Sequence, residues 1–312
     1  MNDWLSLIHD IAQSSGGVVT RHRLLGAGIP SADIERLRAA GRLTVIRRGW
    51  YRLERARPIV VAAVEAGAVV TCVSALGFHN PEIWVPAGIT KTHLRWPAHV
   101  RTRRRTHEQC RAFRTLETPR AAVDPLDSAL LCAANCLDPD QLAAVLDSTL
   151  RMTVPLTQEY LQQLFAGAPE RIRPVLGHLD PLAGSGIESM VRYRLQCRHI
   201  AVRSQVTIPG VGTVDLLVGD KLIIECDSEG HHSGLHRKTD LKRDRISVRG
   251  DYRVLRIDYE EVVSKERWAA AYRDIEDLVR TGRHRGKVRT APVAAVACES
   301  TAESVRGPNL AS

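Results

Sequence analysis

The residues of this 312-residue chain best suited to chemistry lie between positions 182 and 280. Glu188 stands in Ser185-Gly-Ile-Glu188, Asp215 in VDLLV and Glu225 in LIIECD. An acid in an otherwise apolar strand is costly to bury without a partner, so Asp215 and Glu225 each require one. Register decides whether they meet. A three-residue hairpin loop over Gly219–Lys221 puts Asp215 directly opposite Glu225, with Asp227 on the same face. A two-residue loop instead throws Asp215 to the other face. Opposed side chains lie about 4.5–5.5 Å apart at Cβ, where like charges destabilise. A divalent cation removes that objection, and Mg²⁺ (or Mn²⁺) takes oxygen ligands from one or two carboxylates plus substrate phosphate.

A loop rich in histidine, GHHSGLH, follows the acids. His231 is the best general-base candidate there, because an unperturbed imidazole titrates near pH 6.5 and accepts a proton at neutrality. Lys242 and Arg243 on the next helix, and Arg256 on a later strand, are positioned to clamp phosphate oxygens. Cation site, base and phosphate clamp together are the parts of metal-assisted phosphodiester hydrolysis, on DNA or RNA alike. Plainer roles exist for each. Ser185 and Glu188 form the capping-box pattern S-x-x-E. Asp227 is as suited to opening the loop as to binding metal. Zinc held by Cys226, His231, His232 and His236 is disfavoured because Cys226 should face away from Glu225. Asp240 and Asp244 have the spacing of helix-surface ion pairs.

The elements that must position these groups read in the order αβββαβα. A helix opens at Ser185, and strands cover Arg203–Ile208, Thr213–Val218 and Leu222–Asp227. A basic helix covers Arg237–Val248, then a strand Tyr252–Asp258 and a closing helix Lys265–Arg280. In order and spacing, Glu188, VDLLV, IIECDSEGHH, TDLKRDR and YRVLRID resemble the restriction-endonuclease-like PD-(D/E)XK superfamily, nearest its relatives of very short patch repair nucleases. The resemblance implies an αβββαβ endonuclease core, metal binding by Asp215 and Glu225, and help from Glu188 through a metal-bound water. The superfamily's usual Lys two places after the second acid is Asp227 here. Repair nucleases of this type also lack it and use a histidine in the following loop, where His231 matches and His232 adjoins.

The first fifty residues carry a second signal. Apolar spacing predicts a helix over Trp4–Ala12, Thr20 caps Arg21–Leu25, and Ser31 caps Ala32–Ala40. Leu43-Thr-Val-Ile, the turn Arg47-Arg48-Gly49 and Trp50-Tyr-Arg-Leu then alternate as a hairpin. Three helices and a hairpin make the winged helix-turn-helix plan. In it Arg36 and Arg38 ride the helix that enters a major groove, and Arg47 and Arg48 sit on phosphate from the wing. A small helical domain that binds protein has the same outline. The stretch GGVVTRHRLLGAGIPSADIERLRAAGRLTVIRRGWYRL resembles the winged helix of AbiEi-type antitoxins, more loosely continued by SALGFHN and TPRAAVDPLDSALLCAA. That implies DNA binding, and a toxin or other defence-system protein as partner.

Between the two lies a mixed α/β region with helices expected near Asp127–Asn135, Pro139–Leu150 and Thr157–Phe165. Its one chemical signal is the basic run with Arg101, Arg103, Arg104 and Arg105, a solvated strand or a phosphate-tracking surface. The formal charge is +9, and the excess is concentrated in residues 101–120 and 236–256, seven Arg against two acids and eight Lys/Arg against three. Charge in patches favours a polyanionic partner. Pro58–Phe78 is apolar but carries Glu65, so a buried helix and a second element are expected there rather than a membrane span. The first ten residues carry no basic segment leading into an apolar run, and the seven cysteines are irregularly spaced with no CxxC pair. No export signal is expected, the thiols read as reduced, and the location reads as cytoplasmic. Cys132 and Cys136 share a helical face and read as small core residues rather than as metal ligands.

The resulting expectation is a multidomain α+β and α/β chain. A winged helix-turn-helix occupies 1–54, a mixed α/β region 55–180, the endonuclease-like core 181–282 and a disordered tail 283–312. The functional expectation is an Mg²⁺-dependent DNA endonuclease targeted by its winged helix. The alternative is an AbiEi antitoxin-like transcriptional regulator with a catalytically inactive nuclease fold.

Overall fold

A computed structural model describes residues 4–97, 108–227 and 252–286. The N-terminal unit contains α1 (Trp4–Gln13), β1 (Val18–Thr20), α2 (Arg21–Gly26), α3 (Ser31–Ala39), β2 (Thr44–Arg47) and β3 (Trp50–Arg52). The three strands form one sheet in the order β1-β3-β2, and a two-residue turn, Arg48-Gly49, closes the hairpin with Gly49 at φ +78°. This is a winged-helix-like arrangement. Ile8, Leu24, Ile34, Leu43 and Tyr51 form its core. Thr20 does cap α2, its hydroxyl accepting from the Arg23 N–H at 3.2 Å. Ser31 does not cap α3. Pro30 holds that position, and the Ser31 hydroxyl accepts from the Arg21 guanidinium at 2.9 Å.

The middle region contains α4 (Pro58–Glu65), β4 (Val69–Val70), α5 (Cys72–His79), β5 (His93–Arg95), β6 (Glu108–Gln109), α6 (Leu126–Cys136), α7 (Pro139–Thr149), α8 (Gln158–Leu164) and α9 (Arg173–Gly177). The apolar stretch 58–78 is therefore two helices joined by a two-residue strand. Among the described residues no helix is long and apolar enough to cross a membrane. Strands β4, β5 and β6 form a small sheet, with β4–β5 antiparallel and β5–β6 parallel. The Arg103, Arg104 and Arg105 run lies outside the described residues.

The C-terminal part begins with α10 (Gly186–Gln196), then β7 (Val202–Ile208), β8 (Gly212–Val218), β9 (Leu222–Asp227), β10 (Arg253–Asp258), α11 (Tyr259–Val263) and α12 (Lys265–Arg280). The sheet order is β10-β9-β8-β7, parallel between β10 and β9 and antiparallel elsewhere. Helices α10 and α12 pack on one face through Ile187, Val191, Leu216, Ile224 and Ile275. The smaller opposite face gathers Ile208, Val214, Leu217 and Ile223. The expected helix over 237–248 lies outside the described residues. The chain also stays folded beyond residue 283. The buried His284 offers its carbonyl to the N–H groups of Asp220 and Lys221, which the hairpin tip leaves without strand partners.

Helix α7 is buried from Leu142 through Thr149 and serves two cores at once, as a helix apolar on several sides must. Ala144 faces the C-terminal core, while Leu142, Val145 and Leu146 face the middle one. Ion pairs join it to α10. Arg192 (1% exposed) meets Asp147 (0%) at 2.6 Å, and Arg194 meets Asp140 at 2.5 Å. Arg192 also donates to Gln196 at 2.7 Å, and Asp147 accepts from the Asp180 N–H at 2.8 Å. Burial pushes the Asp147 carboxyl above its ordinary range, and the Arg192 charge opposes that shift. Gly186 opens α10 against Trp84, where a Cβ would come within 2.2 Å of the indole.

Removing one partner of a buried pair leaves the other charge uncompensated. Arg192→Met is expected to cost about 3–5 kcal/mol in urea unfolding, and Arg192→Met with Asp147→Leu to recover most of it.

Candidate functional site

The β8–β9 hairpin has the three-residue loop Gly219–Lys221, with Leu216 opposite Ile224 and Val218 opposite Leu222. The ladder stops one step short of Asp215 and Glu225. Asp215 turns its carboxylate into the strand edge instead, where Oδ2 accepts from the Cys226 backbone N–H at 2.9 Å. On the other side of β8, Gln205 lies across from Asp215 at a break in the β7–β8 ladder. Its backbone is left-handed, φ +49°, in the middle of a strand. A non-glycine residue held there costs on the order of 1–3 kcal/mol.

The side-chain pattern of both strands changes at this break. Leu216 and Val218 face α10, yet Val214 joins Leu217 on the opposite face. Likewise Val202 packs toward α10, whereas Val206 packs away. Strict alternation along a strand forbids this, so the kink at Gln205 and Asp215 reverses the faces.

The kink brings in Glu188 (4% exposed) from the first turn of α10. Ser185 caps the helix, its hydroxyl accepting from the Glu188 N–H at 3.2 Å. The Glu188 carboxylate does not return to the N-cap as a capping box would. Its Oε2 accepts from the Gly184 N–H at 2.7 Å and from the Gln205 amide at 2.7 Å, and the same amide nitrogen reaches Asp215 Oδ1 at 3.3 Å. Gly184 permits this approach, since a Cβ there would lie 2.9 Å from the Gln205 amide and 3.0 Å from the carboxylate. Burial, and next the charge of Asp215, push the Glu188 carboxyl above its ordinary value of 4.5. Burial also raises the Cys226 thiol, helped by the charges of Asp215, Glu188, Glu225 and Asp227.

Asp215 thus converges on Glu188 through Gln205. Glu225 follows the parity of Ile223, away from α10, and lies beside Arg256 in the parallel β9–β10 register. Glu188, Asp215 and Glu225 do not form a set of three ligands within 4.8 Å. Among the described residues that condition is met by Cys72, His93, Cys110 and Cys136, far from the acids in sequence. His231, Lys242 and Arg243 lie outside the described residues. Gln205 escaped sequence reading because an amide in a polar strand carries no signal until its partners are known.

In the N-terminal unit Arg36, Arg38 and Arg48 are exposed. Arg36 pairs with Asp33, and Arg38 with Glu35 at 2.5 Å. Such exposed pairs contribute about 0–1 kcal/mol, so either arginine can leave its acid for a phosphate at little cost. Arg47 is placed differently. It is half-buried with its guanidinium over Trp50, 4.7 Å from the ring centre, while Arg48 occupies the wing turn.

Residues 6–54 match the family described as "Transcriptional regulator, AbiEi antitoxin", so an AbiEi-antitoxin-type domain stands at the N-terminus. No curated protein matches the chain. Among solved structures, the crystal structure of the RV2827C protein from Mycobacterium tuberculosis is 18% identical. The match covers 62% of this chain and 82% of that one, with a TM-score of 0.27.

The raised Glu188 carboxyl sets a pH dependence. Between its unfolded value near 4.5 and its higher folded value, the folded state binds more protons than the unfolded. Stability from this group therefore falls as pH rises through that window and levels off above it. Urea midpoints measured from about pH 4 to about pH 8 are expected to show the decline in the native chain and a shallower one in Glu188→Gln, the remainder belonging to the raised Asp147 carboxyl.

Proposed function

We propose that this chain is a DNA-binding transcriptional regulator of the AbiEi antitoxin type, acting through its N-terminal winged helix and paired with a toxin. The carrying observation is the match of residues 6–54 to that regulator family, on a unit built as three helices and a wing. Helix α3 offers Arg36 and Arg38 to a groove, and the turn offers Arg48 to the phosphate backbone. Duplex DNA from the chain's own promoter is expected to bind in preference to scrambled DNA. Arg36→Ala with Arg48→Ala is expected to weaken both, and to lower the slope of log affinity against log salt by roughly one per phosphate contact removed. Equal affinity for both duplexes, or an unchanged slope, removes the reading.

A second reading, hydrolysis of the phosphodiester backbone by the C-terminal part, is favoured by the Glu188–Asp215 pair. The element order around the pair resembles a PD-(D/E)XK core. Carboxylate oxygens are the donors that Mg²⁺ takes. As arranged, however, the pair holds hydrogen bonds that a cation would have to share or displace. The Gln205 amide lies between the two acids, and the Gly184 and Cys226 N–H groups occupy further lone pairs. No hydrolytic step is derived from that arrangement. Plasmid nicking in Mg²⁺ or Mn²⁺ separates the two. Cleavage by the native chain that Asp215→Ala abolishes establishes an active nuclease, and equal behaviour of both proteins removes the site.

A further inference from the structure

The sequence scatters Cys72, His93, Cys110 and Cys136 over 65 positions with no recurring spacing. The fold assembles them. Cys72 starts α5 directly after β4, His93 starts β5, Cys110 follows β6, and Cys136 ends α6. One ligand atom from each lies within 4.8 Å of all the others. The Cys110 sulfur is 3.1 Å from His93 Nδ1 and 3.3 Å from the Cys136 sulfur. Four ligands at zinc bonding distances, about 2.3 Å for sulfur and 2.0 Å for nitrogen, sit about 3.5–3.8 Å apart around a tetrahedron. The four side chains therefore already hold nearly the spacing that a metal imposes.

Two further observations point the same way. Cys72 is fully buried with a left-handed backbone, φ +54°, a strained conformation for a residue bearing a Cβ. That strain turns its thiol toward the other three ligands. The local sheet is also short over the described residues, with β4 and β6 two residues each and β5 three. A bond from each of four elements supplies what its ladder lacks.

We propose that Cys72, His93, Cys110 and Cys136 bind one structural zinc ion. Three thiolates and a neutral imidazole complete a tetrahedron, the closed arrangement of structural rather than catalytic sites. Three ligands are buried, and Cys136 is at the surface, which gives the ion its way in. Three thiolates around a dication leave a net charge of −1. Lys91 and Arg111 line the same opening and offset it. A bound cation ionises all three thiols. The sulfur separation of 3.3 Å is well beyond a disulfide bond.

The test uses the full chain, purified without chelator and, separately, stripped and reloaded with zinc or cobalt. About one zinc per chain is expected by mass spectrometry, with Zn–S distances of about 2.3 Å in X-ray absorption. The cobalt form should show a thiolate-to-cobalt charge-transfer band, which needs no variant and so cannot be confused with misfolding. His93→Ala should lose the metal, His93→Cys should retain it, and Cys197→Ser, outside the cluster, should leave it unchanged. A folded chain holding less than about a tenth of an equivalent after reloading overturns the proposal. So does a Cys110–Cys136 disulfide in freshly purified protein, or metal content indifferent to His93→Ala.

Discussion

A guanidinium sealed from water, that of Arg192, underlies much of the geometry described above. Taking that charge out of solvent is tolerable only with a partner as well buried, and Asp147 on α7 is that partner at 2.6 Å. The pairing leaves α10 little freedom relative to α7. Trp84 against Gly186 fixes how closely the helix start approaches the middle region. With α10 held, Glu188 in its first turn has a single place to go, beside the kinked strands. Middle and C-terminal parts thus share a helix and a set of buried charges, and the position of the acids is inherited from that junction.

At the acids, backbone geometry and electrostatics work against each other. A left-handed Gln205 and an interrupted ladder on both sides of Asp215 are unfavourable, and so is a carboxylate 4% exposed. Each cost is partly offset by hydrogen bonds that an unkinked sheet would not offer, from Gly184, Gln205 and Cys226. The outcome is a pair of acids that share the Gln205 amide and accept further bonds from the Gly184 and Cys226 backbone. That balance is why the family match at the front of the chain, rather than the acids at the back, carries the functional reading.

Much of the architecture was legible from local rules. Strand Leu222–Asp227 and helix Lys265–Arg280 were read to their ends, because period-2 and period-3.6 patterns were strong there and glycine or serine marked their limits. The hairpin loop over Gly219–Lys221 was not legible, because two- and three-residue loops fit the same pattern and the strand pairing decides between them. The cap of α3 was misread, since Ser31 is a good cap by type but Pro30 already sets the extended backbone that the position needs. The expected tail begins too early, at 283, because composition cannot show that His284 supplies the carbonyl two hairpin amides require.

Sequence alone determined the element types, the winged helix and the presence of acids in strands, since each depends on residues within a few positions of one another. Tertiary structure alone decided which acids meet. One residue of irregular backbone at Gln205 reverses the faces of two strands, and no propensity encodes that reversal. It also decided that three cysteines and a histidine, tens of residues apart, share one small volume. Their convergence depends on how β4, β5, β6 and α6 pack, and chain separation carries no information about distance once a core has closed around it.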